Sequence, residues 1–211
     1  MEIIWLGNTT FLIKNSTGKR ILINPSNINS FITTYESQPD LITFSNYQYR
    51  DNSINLLKNN CKIIDNCDIY KNDYISLKGY DTYSDNINGL KRGSNTIYIF
   101  EIDNIKLCHL GTLGHKLNSN IISQLRNLDF LFIPIGGHLS LNGTDAANLS
   151  NSINPKYIIP MLYKTSLQHS YLDGPYEFIS KTKKIIKIND SKIETSEFSF
   201  SDNNSVVMLT P

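Results

Sequence analysis

Polar side chains that could take part in chemistry follow the apolar run Leu41–Ser45, in the segment NYQYRD (residues 46–51). Many hydrolases place a catalytic loop where a buried strand ends. Here that position presents the amides of Asn46 and Gln48 and the guanidinium of Arg50, which are poor nucleophiles, bases and metal ligands. Asp51 adds one carboxylate that could act as a general base. The position is therefore typical of a catalytic loop, whereas the residue types are not.

The chain has four histidines that could serve in acid–base or metal chemistry: His109, His115, His138 and His169. No two of them have the HxH or HExxH spacing of metal-binding pairs. We expect His169 to be a solvated loop residue. The histidine spacing alone therefore predicts no metal site.

The composition favours one soluble globular domain spanning residues 1–211. The chain is 40% hydrophobic with a net charge of +1, so it has neither a polybasic field for nucleic acid nor one for an anionic membrane. No apolar run approaches the roughly 20 residues of a membrane helix, and the opening EIIWLG does not resemble a signal peptide. Three cysteines without CxxC spacing indicate free thiols. We expect a cytoplasmic protein that binds neither nucleic acid nor membranes.

Strand patterns dominate the first half of the chain, and strand–helix alternation dominates the second half. Helices are predicted near 53–59, over 118–128 and 142–154, and around 174–184. The polar stretch 79–96 is predicted to be a long loop of the kind that often lines a site. Two sheets packed face to face, with helices outside, fit this order of elements.

Four segments resemble, in register, the metallo-β-lactamase-fold hydrolases, and in particular their single-domain, sugar-lactonase-like branch. The opening IIWLGNTTFLIKNSTGKRILINP is similar to that branch's WLGHSTFLI…ILIDP. NGLKRGSNTIYIFEIDNIKLCHLGTLGH is similar to its RGxNTxY…CHLGDLGH, and LDFLFIPIGG and NPKYIIPMLYKT are similar to its DVLLIPVGG and PKxVIPMHYKT. The resemblance implies an α/β (α+β) fold, a four-layer αββα sandwich, whose usual activity is metal-dependent hydrolysis.

The HxHxDH loop of that family is replaced at each of its four ligand positions. Its first two histidines fall on Asn46 and Gln48, its aspartate on Arg50 and its last histidine on Asp51. Amide oxygens are weak zinc ligands, and a permanent guanidinium charge repels a dication.

The later ligands of the family are replaced as well. The histidine of the long loop falls on Ser84, the bridging aspartate on Thr112 and the final histidine on Leu162. The GHS histidine and the DP aspartate of the family opening fall on Asn8 and Asn24. Because zinc, manganese and iron need imidazole or carboxylate ligands here, we predict no metal cofactor where the family holds two ions.

The resemblance leaves three residues as catalytic candidates: Asp51, His115 and His138. His115 matches a family position, and His138 follows the IGG turn near which a substrate would approach. A metal site rebuilt from these three residues remains an alternative. His109, in CHLG, is expected to make structural hydrogen bonds.

These substitutions predict a catalytically degenerate, metal-free member of the family that acts as a binding or interaction module for a small molecule or a protein. The alternative is a divergent hydrolase that acts on an ester, lactone or phosphodiester through a rebuilt site. A third reading is a structural subunit that assembles with an active paralogue. Relatives of this fold often form homo-oligomers, so the resemblance leaves self-association open.

Overall fold

A computed structural model describes residues 1–35, 37–46, 54–55, 57, 61–166, 171–199 and 203–210. Within these residues the strands are β1 (Glu2–Trp5), β2 (Phe11–Lys14), β3 (Arg20–Ile23), β4 (Leu41–Thr43), β5 (Lys62–Ile64), β6 (Ile69–Lys71), β7 (Ser76–Tyr83), β8 (Ser94–Ile102), β9 (Ile105–His109), β10 (Phe130–Pro134), β11 (Tyr157–Met161), β12 (Lys184–Lys187), β13 (Lys192–Glu194) and β14 (Ser205–Met208). The helices are α1 (Ile28–Tyr35), α2 (Ser119–Gln124), α3 (Gly143–Ile153) and α4 (Tyr176–Ile179), with a 3-10 turn at Thr195–Glu197.

The described strands form two sheets. The first has the order β13-β1-β2-β3-β4-β5, and the second has the order β12-β14-β11-β10-β9-β8-β7-β6. Strands β1 to β3 of the first sheet and β6 to β9 of the second are antiparallel to their neighbours in sequence. Strands β3 to β5 and β9 to β11 run parallel. Parallel neighbours end at the same edge of a sheet, so loops that are distant in sequence are brought together there.

The central strands of the first sheet, β1 to β4, are buried on both faces, which explains why most of their residues are apolar. Ile3 and Trp5 face the second sheet, whereas Ile4, between them, packs with Ile28 and Phe31 of α1. The outer face of the second sheet is covered by α2, α3 and α4. The layers are therefore α1, first sheet, second sheet and the α2–α4 group, which confirms the predicted αββα sandwich.

Three of the four predicted helices are confirmed as α2, α3 and α4, although α2 and α4 are shorter than predicted. The predicted helix near 53–59 lies largely outside the described residues. Helix α1 was not predicted, although the sequence signals it. Ile28, Phe31, Ile32 and Tyr35 have helical spacing, and Asn27 caps the helix by accepting a 2.9 Å hydrogen bond from the Ser30 N–H.

The predicted long loop over 79–96 is wrong at both ends, because β7 continues to Tyr83 and β8 begins at Ser94. The connection that remains is held by the carboxylate of Asp85, which is buried at the start of the loop. Burial raises the pKa of this carboxyl, but hydrogen bonds from four backbone N–H groups outweigh burial and bring the pKa down to about 2. The donors are Ile87, Gly89, Lys91 and Arg92, at 2.7–3.0 Å.

In the part of the chain that the structure describes, no helix has the length and apolar character needed to cross a membrane.

Candidate functional site

Strand ends from both sheets meet at one edge of the sandwich. Leu162, directly after β11, donates its N–H to the carbonyl of Asn8, which follows β1, over 3.1 Å. Thr96, in β8, donates its N–H to the carbonyl of Ser45, beyond β4, over 2.7 Å. The carboxyl ends of strands in open α/β sheets are where ligands commonly bind. This edge is therefore the candidate site.

A cavity of about 110 Å³ lies at this edge. It contains two of the positions at which the resemblance predicts lost ligands, Thr112 and Leu162, together with Asn8 and Asn24. The described residues that line it are Asn8, Thr9, Thr10, Asn24, Ser26, Thr112, Leu139, Leu162 and Tyr171.

Ser84 and Thr112 are joined in a buried network of neutral side chains. The Ser84 Oγ and Thr112 Oγ1 atoms are 2.7 Å apart. Thr112 donates to Asn95 Oδ1 through its N–H (2.8 Å) and its hydroxyl (3.3 Å), so the hydroxyl of Ser84 is the donor to Thr112. Asn95 Nδ2 in turn donates to Thr82 Oγ1 at 2.8 Å and to the Leu110 carbonyl at 3.1 Å. All four polar side chains are at most 2% exposed, so the hydroxyl groups form their hydrogen bonds with other groups of the protein and not with solvent.

Four residues around the site have left-handed backbone conformations. The φ angles are +46° at Asn8, +47° at Asn24, +50° at His138 and +50° at Leu162. Asn and His adopt this region more readily than other side chains, whereas a branched apolar residue does so at a cost of roughly 1–2 kcal/mol. Leu162 therefore occupies a backbone position better suited to the histidine that the family pattern places there.

Asn46 is the one position of the predicted HxHxDH-equivalent loop that the structure describes. It is buried and directly follows Ser45 at the edge that carries the cavity. Gln48, Arg50 and Asp51 lie outside the described residues. Their predicted place beside the cavity therefore stays a prediction.

His109 lies fully buried between the sheets, with both ring nitrogens in use. The Gly111 N–H donates to Nδ1 over 3.1 Å, so the proton must sit on Nε2, which donates to the Thr9 carbonyl over 3.0 Å. Phe11 and Phe132 pack against the ring. Burial lowers the pKa of His109 to about 3, although the hydrogen bond to Thr9 raises it. The imidazole is therefore a neutral hydrogen-bonding group of the core.

Acid should destabilise the protein through His109. Its pKa is about 3 in the folded chain and 6.5 ordinarily, so the unfolded chain takes up the proton first. The stabilisation is complete above pH 6.5 and is lost as the pH falls towards 3, at about 1.4 kcal/mol per pH unit. The measurement is urea unfolding of the wild type and of His109→Gln, which keeps one donor and one acceptor, between pH 7 and about 4.5.

The variant should lose less of its free energy of unfolding with falling pH than the wild type, by roughly 3 kcal/mol over that interval. Equal slopes for the wild type and His109→Gln would contradict the assignment of a buried neutral imidazole.

His115 is also committed to backbone groups. Its Nδ1–H donates to the Lys116 carbonyl over 2.8 Å, and Nε2 accepts the Tyr83 N–H over 3.1 Å. The residue lies on the rim of a different cavity, of about 240 Å³, which α2 and α3 line together with Leu117 and Leu141. In this arrangement neither nitrogen has a lone pair or proton left for a substrate.

His138 is exposed on the loop that follows β10. Its Nε2 atom is 3.4 Å from Asp173 Oδ1, and both side chains are more than half exposed, so the contact contributes little stability. Leu139, the next residue, lines the 110 Å³ cavity. His138 is therefore close to the site without being one of the described residues that line it.

The described residues do not fit the pair of metal ions that the family implies. Of the seven predicted ligand positions, the four described hold an amide, two hydroxyls engaged with each other, and an alkyl group: Asn46, Ser84, Thr112 and Leu162. No group of three His, Cys, Asp or Glu side chains within the described ranges could hold a metal ion. Zinc in proteins needs thiolate, imidazole or carboxylate ligands, which these positions no longer supply.

Two side chains that hold the site residues in place were not predicted from the sequence. Asn95 connects Thr112 to Thr82, and Asp85 shapes the loop that follows Ser84. Asp85 had a signal, because a lone carboxylate followed by glycines in a polar connection often accepts backbone N–H bonds. The sequence signal for Asn95 was weaker. It is a polar residue near the start of a strand whose following residues are buried on both faces.

Three comparisons relate the chain to known proteins. A family model described as "Beta-lactamase superfamily domain" matches residues 2–162. A UPF0173 metal-dependent hydrolase of Caldivirga maquilingensis is 27% identical over 86% of this chain and 89% of its own length. Another, from Archaeoglobus fulgidus, is 25% identical over 78% of this chain and 84% of its own.

Solved structures agree with these matches. A candidate Zn-dependent hydrolase of the metallo-β-lactamase superfamily from Thermotoga maritima superposes with a TM-score of 0.77 and 26% identity, over 99% of this chain and 97% of that one. Igni18, a metallo hydrolase of Ignicoccus hospitalis, gives a TM-score of 0.68 at 16% identity, over 99% of this chain and 94% of that one. At this identity the similarity shows a shared fold only.

Proposed function

This chain belongs to the β-lactamase superfamily, and we propose that it is a metal-free member that has kept the fold and lost the hydrolytic centre. Such a protein would act as a binding or interaction module. The observation that carries the proposal is the 2.7 Å hydrogen bond between Ser84 and Thr112, with Leu162 beside the same cavity. Neutral hydroxyl groups that are hydrogen-bonded within the protein, and an alkyl side chain, supply none of the negative charge that two cations require.

The loss can be expressed as free energy. Zinc lowers the pKa of bound water from 15.7 to about 7. Without that effect, hydroxide at pH 7 costs nearly nine pKa units, or roughly 12 kcal/mol. A positioned general base supplies about 10²–10⁴-fold, or roughly 3–5 kcal/mol. A general base therefore does not compensate for the missing cations.

The residues that remain are suited to binding. The described residues of the cavity lining supply amides, hydroxyls, two leucines and a tyrosine, and they lie at strand ends. Small-molecule sites commonly combine apolar surface with a few convergent polar groups in this way. The relatives are named as metal-dependent hydrolases. We therefore propose that this chain shares their fold but not their metal-dependent chemistry.

The proposal is tested by turnover. The full chain is assayed against lactone, ester and phosphodiester substrates, with and without added Zn²⁺, Mn²⁺ or Fe²⁺. We expect no rate above that of buffer in any condition. Metal-stimulated hydrolysis would overturn the proposal.

A rebuilt hydrolase would give a different result. Turnover without added metal, lost in Asp51→Asn, His115→Gln or His138→Gln but kept in His169→Gln, would establish that alternative. His169→Gln is the matched control because this histidine is not among the three candidates.

A further inference from the structure

The loop between β7 and β8, residues 84–93, is held in one conformation by its own hydrogen bonds. The Asp85 carboxylate accepts four of its backbone N–H groups at 2.7–3.0 Å. The Gly93 N–H donates to the Gly89 carbonyl over 2.8 Å, and the Ser84 N–H donates to the Gly93 carbonyl over 3.1 Å. Because the loop is already ordered, little conformational entropy would be lost if its tip bound a partner.

The tip of this loop exposes apolar side chains. Six large apolar or aromatic side chains of the described residues are exposed, and three of them, Tyr83, Ile87 and Leu90, lie within eight consecutive positions. Leu90 is 86% exposed and Ile87 is 46% exposed. Single exposed apolar residues are ordinary, whereas a cluster on an ordered loop is typical of a binding surface. We call the side chains of Ile87 and Leu90 the apolar tip.

The cavity of about 240 Å³ beside α2 and α3 is a groove with an apolar floor, which we call the α2–α3 groove. Its floor is formed by Leu117, Ile122, Leu141 and Leu149. At roughly 30 Å³ for each heavy atom, the groove holds about eight heavy atoms. This is the combined size of one leucine and one isoleucine side chain, so the groove matches the apolar tip in volume as well as in polarity.

Tyr83 joins the loop to the groove. A Cβ added to Gly89 would lie 2.9 Å from Tyr83 Cδ1, so the Tyr83 ring packs against the loop. The centroid of the same ring is 5.8 Å from that of His115, which lines the groove, and the Tyr83 N–H donates to His115 Nε2 over 3.1 Å. The apolar tip and the groove are therefore neighbours on the surface. A two-fold axis that passes between such neighbours places each tip of a dimer in the groove of the other copy.

Charges favour this pairing over contact between two copies of the loop. Two loops in contact would bring Lys91 and Arg92 of both copies together, which is repulsive. In the groove, Lys91 meets Asp145, which lines the rim, whereas Lys116 is exposed and can extend its ammonium group into water. Residues 47–53, outside the described part of the chain, contain one arginine and one aspartate and so add no net charge.

We propose that this face is a self-association site, at which the chain forms a two-fold dimer with the apolar tip of each copy in the α2–α3 groove of the other. Ile87 and Leu90 contact the apolar floor, and Lys91 pairs with Asp145 at the rim. The inference goes beyond the proposed function and does not depend on it, because neither the apolar tip nor the groove floor includes a predicted ligand position.

The experiment is sedimentation equilibrium of the full chain between about 5 µM and 1 mM. Two side chains per copy make a small contact, so we expect a dissociation constant of about 10–500 µM. Leu90→Ser should raise this constant at least about tenfold. Ile69→Ser is the matched control, because Ile69 is also exposed (72%) but belongs to β6, and it should leave the constant unchanged.

Variants of α3 test the groove. Asn148→Arg extends a longer side chain from the groove lining and should also raise the dissociation constant at least about tenfold. Asn151→Arg, exposed on the same helix but not among the described lining residues, should not. Asp145→Lys and Lys91→Asp should each raise the constant about fivefold, and the two together should restore it to within about twofold, because the ion pair is then reversed.

Circular dichroism establishes that each variant is folded. A wild type that stays monomeric up to about 1 mM would overturn the inference, as would a dimer that Leu90→Ser and Asn148→Arg leave intact. The metal content of the same sample separates the two proposals. A metal-loaded dimer contradicts the proposed function alone, whereas a metal-free monomer contradicts this inference alone.

Discussion

A variant that carries the family's ligands at all seven predicted positions is expected to bind about two zinc ions per chain, where the wild type binds none. Four of those positions are described, and the strand ends already bring Ser84, Thr112 and Leu162 to one edge. The backbone at Leu162, with φ +50°, accepts a histidine more easily than the leucine. The substitutions are Asn46→His, Gln48→His, Arg50→Asp, Asp51→His, Ser84→His, Thr112→Asp and Leu162→His.

Zinc per chain is measured by elemental analysis after dialysis, and circular dichroism establishes that the variant is folded. The matched control carries the same substitutions but Thr112→Asn in place of Thr112→Asp. It should bind less zinc, because an uncharged amide cannot bridge two cations. A folded seven-fold variant with no more zinc than the wild type would show that the assignment of these positions is wrong. If the variant does not fold, the same comparison is made with Ser84→His, Thr112→Asp and Leu162→His alone, for which zinc should raise the thermal midpoint.

Gly111→Ala should be among the most destabilising single changes at the site. Gly111 has φ +60°, and a Cβ there would press on Asn95 Oδ1 while lying 2.6 Å from Ser45 Cβ and 2.7 Å from Ser45 Oγ. The left-handed backbone costs roughly 1–2 kcal/mol, overpacking 1–3 kcal/mol, and a broken hydrogen bond at Asn95 1–3 kcal/mol. The free energy of unfolding should therefore fall by roughly 3–8 kcal/mol, or the thermal midpoint by about 6–30 °C.

Gly18→Ala is the matched control for this change. Gly18 also has a positive φ, of +82°, but a Cβ there meets no atom within 4 Å. It should cost only the backbone term of about 1–2 kcal/mol. Equal losses for the two variants would contradict the view that Gly111 is needed for the close contact between the ends of β4 and β9.

The strands of the two sheets could be predicted because a strand that is buried on both faces appears in the sequence as a short, continuous run of apolar residues. The strands Leu41–Thr43 and Phe130–Pro134 are buried at every position and consist mostly of apolar residues. Helix α1 was missed because its apolar residues are few and Thr and Ser interrupt them, yet the spacing from Ile28 to Tyr35 was there. The end of β7 was predicted wrongly because one face of this strand is exposed to solvent. Its polar residues on that face resemble those of a loop.

The superfamily predicted from four sequence segments is confirmed by the family match over residues 2–162. What those segments could not predict is how the substituted side chains bond to one another. The Ser84–Thr112 contact spans 28 residues and depends on the pairing of β7 with β8 and on Asn95. Nor does a sequence reveal that Leu162 has a left-handed backbone or that the Asn24 Nδ2 group is buried without a partner among the described residues, because both follow from tertiary packing.

The central claim, that this member of the superfamily holds no metal, is tested most directly by elemental analysis of the full chain. The protein is purified without chelators and without a metal-affinity column, and its zinc, manganese and iron are measured per chain. Amide, hydroxyl and alkyl groups at the four described ligand positions predict less than about 0.1 ion per chain. One or more ions per chain, retained through dialysis, would contradict the claim.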